Sequence, residues 1–256
     1  MASRVEIAIQ DILTQHKSTG EPVSRLISKI TRSRGLGSKE RELVADSVFD
    51  LLRLKPWPEW FSKRISKEQE QVLRTRPEPN IPIELPGETL WIDQGSQIIA
   101  QKIKAKPGER VLDLCAGAGG KTKLILSTGA HITAVDISDK RLVKMPGIKR
   151  IVADGRTLSL PAFDWILIDA PCSGTGTLRR APDIFGRLSE SDISRYVQLQ
   201  KELVANAVKL LKHTGKLIYA TCSLLEEENH TDFDGLELIE SQHLEDGFFV
   251  AVFKLS

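Results

Sequence analysis

The sequence predicts a doubly wound α/β domain with a mixed sheet, preceded by a small all-helical domain. After residue 90, short β-branched apolar runs alternate with helical stretches, as in parallel sheets covered by helices on both faces. The last two apolar runs are separated by too few residues for a crossover, so we expect them to pair antiparallel. The first third of the chain instead repeats apolar residues at three- and four-residue spacing, which is typical of amphipathic helices.

The helical domain is expected over residues 1–70. Its pattern is carried by three segments: VEIAIQDIL, VSRLISKIT and ERELVADSVFDLLRL. Ser38 precedes Glu40 and Glu42, which predicts an N-cap followed by acidic residues in the first helical turn. Six prolines then fall between residues 55 and 87, and they exclude a long helix or a central strand. We therefore predict a proline-rich linker over residues 71–89.

The α/β domain is expected over residues 90–256. Five parallel strands are predicted at RVLDLC, HITAVDI, RIVAD, WILIDA and KLIYATC. The antiparallel hairpin is predicted at GLELIES and GFFVAVFKL. Polar and glycine-rich segments follow several of these strands, and ligands of doubly wound sheets bind where the strands end.

Composition places the chain among globular proteins. Its 256 residues are 41% hydrophobic and 27% charged, enough to bury a core. No apolar run approaches the roughly 20 residues that span a bilayer, and the first residues lack a signal-peptide pattern, so we expect a cytoplasmic protein without membrane contact. The three cysteines argue against a disulfide framework. No metal is expected, because ligand spacing is missing from the candidate residues His131, His213, His230 and His243.

Charge is distributed unevenly along the chain. Residues 1–80 hold 15 basic and 11 acidic side chains, whereas the remainder holds 21 basic and 23 acidic side chains. The N-terminal third is therefore the basic part, although charge alone favours a solvated helix surface over a binding site.

A glycine-rich turn, CAGAGGKT, follows the first predicted strand. A P-loop needs a glycine where Cys115 stands, so that interpretation fails. A nicotinamide-binding GxGxxG starting at Gly117 is weakened, because Thr122 stands at its third glycine position. The third interpretation is a site for S-adenosylmethionine, which carries no phosphate and needs close backbone approach together with acidic groups for the ribose.

Two aspartates support the S-adenosylmethionine interpretation. Asp136 ends the second strand, 19 residues after Gly117, where a carboxylate can accept hydrogen bonds from two ribose hydroxyls. Asp154 ends RIVAD and is expected to bind the adenine amino group. Cys115 is assigned to packing in the turn, with its backbone near the cofactor. The turn residues expected at the cofactor are Cys115, Ala116, Gly117, Ala118, Gly119, Gly120 and Lys121.

Two further segments each place a cysteine after a strand. They are DAPCSGTGTLRRAPD, residues 169–183, and ATCSLLEEEN, residues 220–229. With VLDLCAGAGGKT they resemble the motifs of the RNA cytosine-5 methyltransferases of the Fmu/Sun (RsmB, Nop2/NSUN) family, over about residues 90–256. Five parallel strands with a C-terminal hairpin is also the layout of Rossmann-like methyltransferases. The N-terminal helices resemble a shortened NusB-like RNA-binding domain. Ala118 stands where many relatives have proline, and Ala181 where bacterial relatives often have histidine.

The resemblance implies formation of 5-methylcytidine in RNA from S-adenosylmethionine, with small-subunit ribosomal RNA as the expected substrate of a monomeric enzyme. Cys222 is implied as the nucleophile that adds to cytosine C6, and Cys172 as the residue that assists breakdown of the adduct. Asp169 is implied at the base edge and the methionine end of the cofactor, with Lys121 reaching toward it. Arg179 and Arg180 are candidates for phosphate contacts. The acidic run Glu226–Glu228 is expected to be a solvated helix start.

Three alternatives remain open. A DNA cytosine methyltransferase would use Cys172 as the nucleophile, but those enzymes carry a large target-recognition insertion late in the chain, and few residues follow Cys222. A non-catalytic ribosome assembly factor would be favoured by loss of the nucleophile or of a cofactor carboxylate, and neither is lost. A transfer RNA cytosine-5 methyltransferase differs from the leading hypothesis only in its substrate.

Overall fold

The computed structural model describes residues 2–143, 145, 147–245 and 247–256. The chain divides into two compact units, each considered by itself. The helical unit comprises Met1–Glu78 and Thr177–Asp192, and the sheet unit comprises Pro79–Gly176 and Ile193–Ser256. The division between residues 78 and 79 falls inside the proline-rich segment 71–89. The grouping of residues 177–192 with the helices was not predicted.

The helical unit contains α1 (Arg4–Thr19), α2 (Val23–Ser33), α3 (Ser38–Arg53), α4 (Glu59–Ser62) and α5 (Lys67–Leu73). The first three helices bury the apolar faces that the sequence pattern predicted, and their core includes Ile12, Leu26, Val44 and Val48. The predicted N-cap is wrong by one residue. Gly37 is the cap, because the Glu40 carboxylate reaches back to accept a hydrogen bond from the Gly37 N–H at 2.8 Å.

Residues 177–192 are joined to the helical unit by polar and aromatic contacts. The Asp183 carboxylate accepts a hydrogen bond of 3.0 Å from the N–H of Val23 at the start of α2. Phe185 packs against Phe61, with ring centroids 4.9 Å apart. These partners lie more than 100 residues away along the chain, which explains why sequence periodicity does not reveal the grouping.

The sheet unit contains a seven-stranded mixed sheet with strand order β5-β4-β3-β6-β7-β9-β8. The predicted architecture is confirmed, because the first five strands of this order are parallel and the last two are joined antiparallel. The strands are β3 (Arg110–Asp113), β4 (His131–Asp136), β5 (Lys149–Val152), β6 (Phe163–Asp169), β7 (Leu211–Thr221), β8 (Leu236–His243) and β9 (Phe249–Leu255).

Helices cover both faces of the sheet. They are α6 (Gln94–Gln101), α7 (Gly120–Leu126), α8 (Asp139–Leu142) and α9 (Glu190–Leu210). Val111 and Leu112 are neighbours on β3 but join opposite apolar clusters, since successive side chains of a strand point to opposite faces. One cluster includes Leu203 of α9, and the other includes Ile99 of α6. Burial on both faces explains the uninterrupted apolar runs of the sequence.

A two-stranded hairpin overlaps the segment 71–89 that the sequence predicts as a linker. It pairs β1 (Pro82–Leu85) antiparallel with β2 (Glu88–Trp91), in a sheet of its own. Gly87 adopts a φ of 85°, the left-handed conformation that glycine provides in a tight turn after Pro86. Prolines exclude central strands, but they are tolerated in an isolated pair with free edges.

Two glycines approach each other where the Cys172 segment meets the β8–β9 hairpin. A Cβ atom on Gly176 would lie 1.8 Å from the carbonyl oxygen of Gly247. The Gly176 N–H also donates a 2.9 Å hydrogen bond to the carbonyl of Cys222. A side chain at residue 176 would therefore force the backbone apart next to both cysteine segments.

We expect the substitution Gly176→Ala to lower the free energy of unfolding by about 1–3 kcal/mol or more, because the new methyl group meets backbone and not a flexible side chain. Urea unfolding followed by circular dichroism measures this change. Gly37→Ala is the matched control, since its Cβ would meet its first neighbour at an ordinary 3.6 Å. Equal midpoints for the two variants would contradict the close packing at Gly176.

Candidate active site

A cavity of about 850 Å³ opens at the carboxyl ends of β3, β4 and β6. Parallel strands end at the same edge of a sheet, and this edge is where doubly wound folds bind their ligands. Every predicted cofactor contact except Gly119 lines the cavity. Gly119 instead faces Met145, and a Cβ there would lie 2.2 Å from the Met145 sulfur. Gly119 thus serves packing behind the turn, in a left-handed conformation that also caps α7.

The glycine turn and the end of β4 are joined by a hydrogen bond. The Gly117 N–H donates to Asp136 at 2.9 Å, and the N–H of Ser138 donates to the other carboxylate oxygen at 2.8 Å. Arg141, which is half exposed, forms an ion pair of 2.7 Å with the same carboxylate. Asp136 is 5% exposed and points into the cavity.

Asp154 lines the cavity on the other side and is paired with Arg156. The two side chains form a 2.6 Å ion pair, and the Arg156 N–H also donates to the carboxylate. These hydrogen bonds hold the pKa of Asp154 below its ordinary value. Arg156 reaches Glu202 of α9 at 3.1 Å as well. The carboxylate is therefore negatively charged at neutral pH.

Asp113, at the end of β3, is a cavity residue that the sequence interpretation missed. Its side chain is 1% exposed, one oxygen accepts a 2.6 Å hydrogen bond from Thr122, and the other has no hydrogen-bond partner. Burial raises its pKa to about 7. An unpartnered oxygen at the wall of the cavity is suited to a positively charged ligand group. The signal in the sequence was an aspartate inside the apolar run RVLDLC.

Cys115 follows the same strand and lines the cavity. Burial and the surrounding carboxylates of Asp113, Asp169 and Asp136 raise its pKa far above the ordinary value of a thiol. A thiol that is neutral at all relevant pH values is a poor nucleophile. This environment supports the packing role that the sequence suggested.

Lys121 and Asp169 form an ion pair between the turn and the end of β6. The Lys121 Nζ lies 2.6 Å from the Asp169 carboxylate, and the lysine side chain is 10% exposed. Burial alone would lower the pKa of Lys121, but the charge of Asp169 and its hydrogen bond, with smaller effects of Asp93 and Cys222, raise it. A cation is therefore fixed at this edge of the sheet, close enough to Cys222 for their charges to interact.

The structure brings the two motif cysteines together. The Sγ atoms of Cys172 and Cys222 are 3.3 Å apart, and no disulfide joins them. The N–H of Cys222 also donates to the Cys172 sulfur at 3.4 Å. The hydrogen bond with Cys222, and then burial, raise the pKa of Cys172 well above its ordinary value. Cys172 is thus held as the neutral thiol.

The acidic run after Cys222 is not uniformly solvated, and the expectation for Glu228 is wrong. Glu226 and Glu227 are exposed, but Glu228 is 0% exposed. The three residues form one 3-10 turn, and the third position turns inward toward the cysteine segments. Sequence alone could not distinguish it, because three identical residues carry no periodicity.

Arg179 and Arg180 belong to the helical unit and not to the sheet unit that holds the cavity. The Arg179 guanidinium donates to the carbonyl of Arg76 at 2.6 Å, and the Arg179 carbonyl accepts from Arg53 at 2.7 Å. Arg179 is therefore engaged within its own unit.

Comparison with known proteins identifies the family. The model of the 16S rRNA methyltransferase RsmB/F family matches residues 100–237, which hold the glycine turn, the three carboxylates of the predicted cofactor site and the two motif cysteines. The chain belongs to this family. The cofactor of the family is S-adenosylmethionine, and the acidic, glycine-turn cavity fits it.

Individual relatives agree with this assignment. The chain is 43% identical over 163 residues to the ribosomal RNA small subunit methyltransferases B of Yersinia pseudotuberculosis and Yersinia pestis; each match covers 57% of this chain and 38% of the relative. The chain thus spans well under half the length of these relatives.

Two solved structures are also similar. NSun6 from Pyrococcus horikoshii with SFG is 25% identical, with a TM-score of 0.61, over 66% of this chain and 53% of that one. A methyltransferase homolog protein from the same organism is 26% identical, with a TM-score of 0.53, over 63% and 66%.

The described part of the chain shows neither a membrane-spanning helix nor a cluster of metal ligands. None of the described helices combines the length and apolar character needed to cross a bilayer. No cluster of three or more metal-ligating side chains occurs among the same residues.

We expect Asp113→Asn to stabilise the protein more at pH 8 than at pH 5. The raised pKa means that the folded state keeps a proton which the unfolded chain releases, so native stability falls as the pH rises from about 4 to about 7. Asparagine removes this loss, so the free energy of unfolding of the variant at pH 8 should exceed that of the wild type by up to about 4 kcal/mol. Urea unfolding at both pH values measures it, with the exposed Asp232→Asn as control. A gain that does not change with pH would contradict the raised pKa.

Proposed function

We propose that this protein is an S-adenosylmethionine-dependent methyltransferase that forms 5-methylcytidine in RNA, with small-subunit ribosomal RNA as substrate. The observation that carries this proposal is the pair of thiols 3.3 Å apart, held at the ends of two neighbouring strands beside the cofactor cavity. Methylation of cytosine C5 needs covalent activation by a thiolate, and a second thiol suits the reverse step. The family assignment supports a ribosomal RNA substrate.

The cofactor, when bound, supplies an electrophilic methyl group on a sulfonium. Asp136 is proposed to accept hydrogen bonds from the ribose hydroxyls, and Asp154 one from the adenine amino group. The carboxyl groups of Asp113 and Asp169 line the wall of the cavity and offer hydrogen-bond acceptors to a ligand with positive groups. The turn from Cys115 to Lys121 allows close approach of the backbone.

In the proposed chemistry Cys222 forms a bond to cytosine C6, and the displaced electron pair makes C5 nucleophilic. C5 takes the methyl group, a base then removes the C5 proton, and the C6–sulfur bond breaks to restore the aromatic ring. Negative charge accumulates on the ring at O2 and N3 during the addition. The buried Lys121 cation, held by Asp169, is positioned to stabilise this charge.

Cys172 is proposed to assist release of the product and not to attack the base. Its raised pKa keeps the proton on sulfur, which makes it a poor nucleophile, and its sulfur lies 3.3 Å from that of Cys222, where the C6–sulfur bond must break. The alternative of a DNA methyltransferase requires Cys172 as the nucleophile, and this electrostatic environment disfavours it.

The helical unit is proposed to bind RNA, in the manner of a shortened NusB-like domain. Arg25, Lys29 and Arg32 are exposed at positions i, i+4 and i+7 of α2 and therefore share one helical face. This spacing along the helix, about 5–6 Å between successive basic residues, is suited to successive phosphates of a strand. Arg179 and Arg180 are further candidates for phosphate contacts.

The target cytosine must be accessible in an unpaired segment. Cytosine inside an A-form helix cannot present C5 and C6 to a thiolate, so the target should lie in a loop or in RNA exposed during ribosome assembly. A cytoplasmic monomer acting on free or partly assembled small-subunit RNA satisfies this requirement. Transfer RNA remains the alternative substrate, and a comparison of methylation on the two RNAs distinguishes them.

Substitution of each cysteine should give a different defect. Cys222→Ser is expected to abolish both methylation and the covalent adduct, because the serine hydroxyl does not add to C6. Cys172→Ser is expected to accumulate a protein–RNA adduct that survives denaturant, because adduct breakdown is slowed. Gel retardation after denaturation, with S-adenosylmethionine binding as the test of folding, measures both. An adduct in Cys222→Ser but not in Cys172→Ser would assign the nucleophile to Cys172.

Charge reversal of Arg25, Lys29 and Arg32 to glutamate should weaken RNA binding by about tenfold or more at moderate salt. The slope of log affinity against log salt should flatten by about two, since each lost phosphate contact removes roughly 0.7 for single strands. The control is the same reversal at three exposed lysines near the amino ends of the strands: Lys104, Lys106 and Lys149. Equal losses in both triple variants would show that α2 is not the contact surface.

A further inference from the structure

A buried carboxylate lies behind the two cysteines and joins the segments that carry them. The Glu228 side chain accepts hydrogen bonds from the N–H of Ser173 at 2.8 Å and from the hydroxyl of Ser223 at 2.6 Å. Ser173 directly follows Cys172, and Ser223 directly follows Cys222. One side chain therefore connects the residues adjacent to both sulfurs.

Further contacts fix Glu228 itself. Gln200 of α9 donates to the carboxylate at 3.1 Å and to the carbonyl of Pro171 at 2.9 Å. The hydroxyl of Tyr219, on β7, donates to the Glu228 carbonyl at 2.7 Å. Gln200 thus holds the carboxylate against α9, and Tyr219 holds the Glu228 backbone against β7, so that the side chain has a fixed position between the cysteine segments.

The hydroxyl groups around the carboxylate form a continuous network. Ser173 and Ser223 are 3.1 Å apart at their oxygens, and Thr175 lies 3.3 Å from each of them. The next residue, Asn229, accepts from Thr221 at 2.6 Å and donates to the Ser223 carbonyl at 3.0 Å. The cysteine segments are thus joined through side chains as well as through the sheet.

Burying the Glu228 carboxylate is unfavourable, which argues against a role in packing alone. Every hydrogen-bond donor to Glu228 named above is neutral, and burying an ionised group without a paired cation is unfavourable. An apolar residue would fill the same volume at a lower cost in free energy. The acceptor geometry of the carboxylate, which reaches two segments at once, is what an apolar residue cannot reproduce.

We propose that Glu228 is a positioning residue that holds the Cys172 and Cys222 sulfurs within reach of each other by accepting hydrogen bonds from the residues that follow them. This role in the spacing of the thiols is argued from the hydrogen bonds of Glu228 and does not depend on the proposed function. The consequence of this spacing for catalysis rests on the proposed function. There the adduct forms at Cys222 and Cys172 assists its breakdown, so the two sulfurs must lie close together.

Two substitutions separate the reach of the side chain from its charge. Glu228→Asp keeps the charge but is one methylene shorter, so it cannot contact Ser173 and Ser223 together. Glu228→Gln loses the charge but keeps the length and an acceptor oxygen, and the Ser223 hydroxyl can rotate to accept from the new amide. Glu226→Gln, in the exposed part of the same acidic run, is the matched control.

The spacing of the sulfurs is measured without any substrate. Phenylarsine oxide reacts with two neighbouring thiols, forming two As–S bonds and releasing water, and the ring resists an excess of monothiol. Intact mass should show one retained arsenical in the wild type, in Glu226→Gln and, with at most about threefold weaker capture, in Glu228→Gln. Glu228→Asp should weaken capture by about tenfold or more. Cys172→Ser should retain none, which shows that Cys115 does not contribute.

Ser223→Ala tests the same link from its other end, should Glu228→Asp fail to fold. It removes one of the two bridging hydrogen bonds and should also weaken capture of the arsenical. Capture at the wild-type level in a folded Glu228→Asp or in Ser223→Ala would overturn the proposal. A greater loss of capture in Glu228→Gln than in Glu228→Asp would also overturn it, because the charge of the side chain would then matter more than its length.

Incubation with RNA and S-adenosylmethionine gives the second readout. Glu228→Asp should accumulate the denaturant-resistant adduct expected of Cys172→Ser, whereas Glu228→Gln should turn over. Suppose that Cys172→Ser forms no adduct, while Glu228→Asp captures the arsenical weakly and Glu228→Gln captures it nearly as well as the wild type. The proposed function then fails and the positioning role stands. If Cys172→Ser forms the adduct but Glu228→Asp captures the arsenical normally, the positioning role fails and the proposed function stands.

Discussion

The register of two neighbouring parallel strands determines the rest of the site. Asp169, the last residue of β6, is paired with Ala220 of β7. Cys172 and Cys222 follow these two positions by three and two residues, so the sheet delivers both thiols to the same edge. A slip of one residue in this pairing would turn the end of one strand to the opposite face and separate the sulfurs. The buried hydrogen bonds of Glu228 then reduce the remaining freedom of the two loops.

Electrostatics at this edge follow from the concentration of carboxylates. Asp113, Asp136 and Asp169 end three adjacent strands, and burial together with the negative charges of neighbouring carboxylates raises the pKa of Asp113 and of Cys115. Lys121 compensates one of the charges and acquires a raised pKa in return. The site therefore keeps a cation next to Cys222 although burial opposes it, and it keeps the other two thiols neutral. Under the proposed function, the sulfur next to the cation is the nucleophile, and the two neutral thiols are not.

The sequence predicted those features that depend on local periodicity and on the fixed geometry of parallel sheets. Strand positions and the C-terminal hairpin belong to this group, whereas the contact between Lys121 and Asp169 was implied by the family resemblance. The β1–β2 hairpin was missed, because a two-stranded pair with free edges tolerates the prolines that exclude a central strand. The burial of Glu228 and the grouping of residues 177–192 with the helices were missed, because they depend on partners distant in sequence. Gly119 was assigned to the cofactor on spacing, and only the position of Met145 reveals its packing role.

The carboxylates proposed for the nucleoside end of the cofactor are each paired with an arginine. A carboxylate has about four lone-pair sites, and Asp136 already accepts from Gly117, Ser138 and Arg141. A single site remains, so accepting from both ribose hydroxyls requires Arg141 to move. Arg141 is 54% exposed and can turn toward solvent, but the Asp136 side chain is only 4% exposed, so the ribose hydroxyls must replace the hydrogen bond that the arginine gives up. The backbone N–H groups of Gly117 and Ser138 each donate to one carboxylate oxygen, so they orient the carboxylate independently of the arginine.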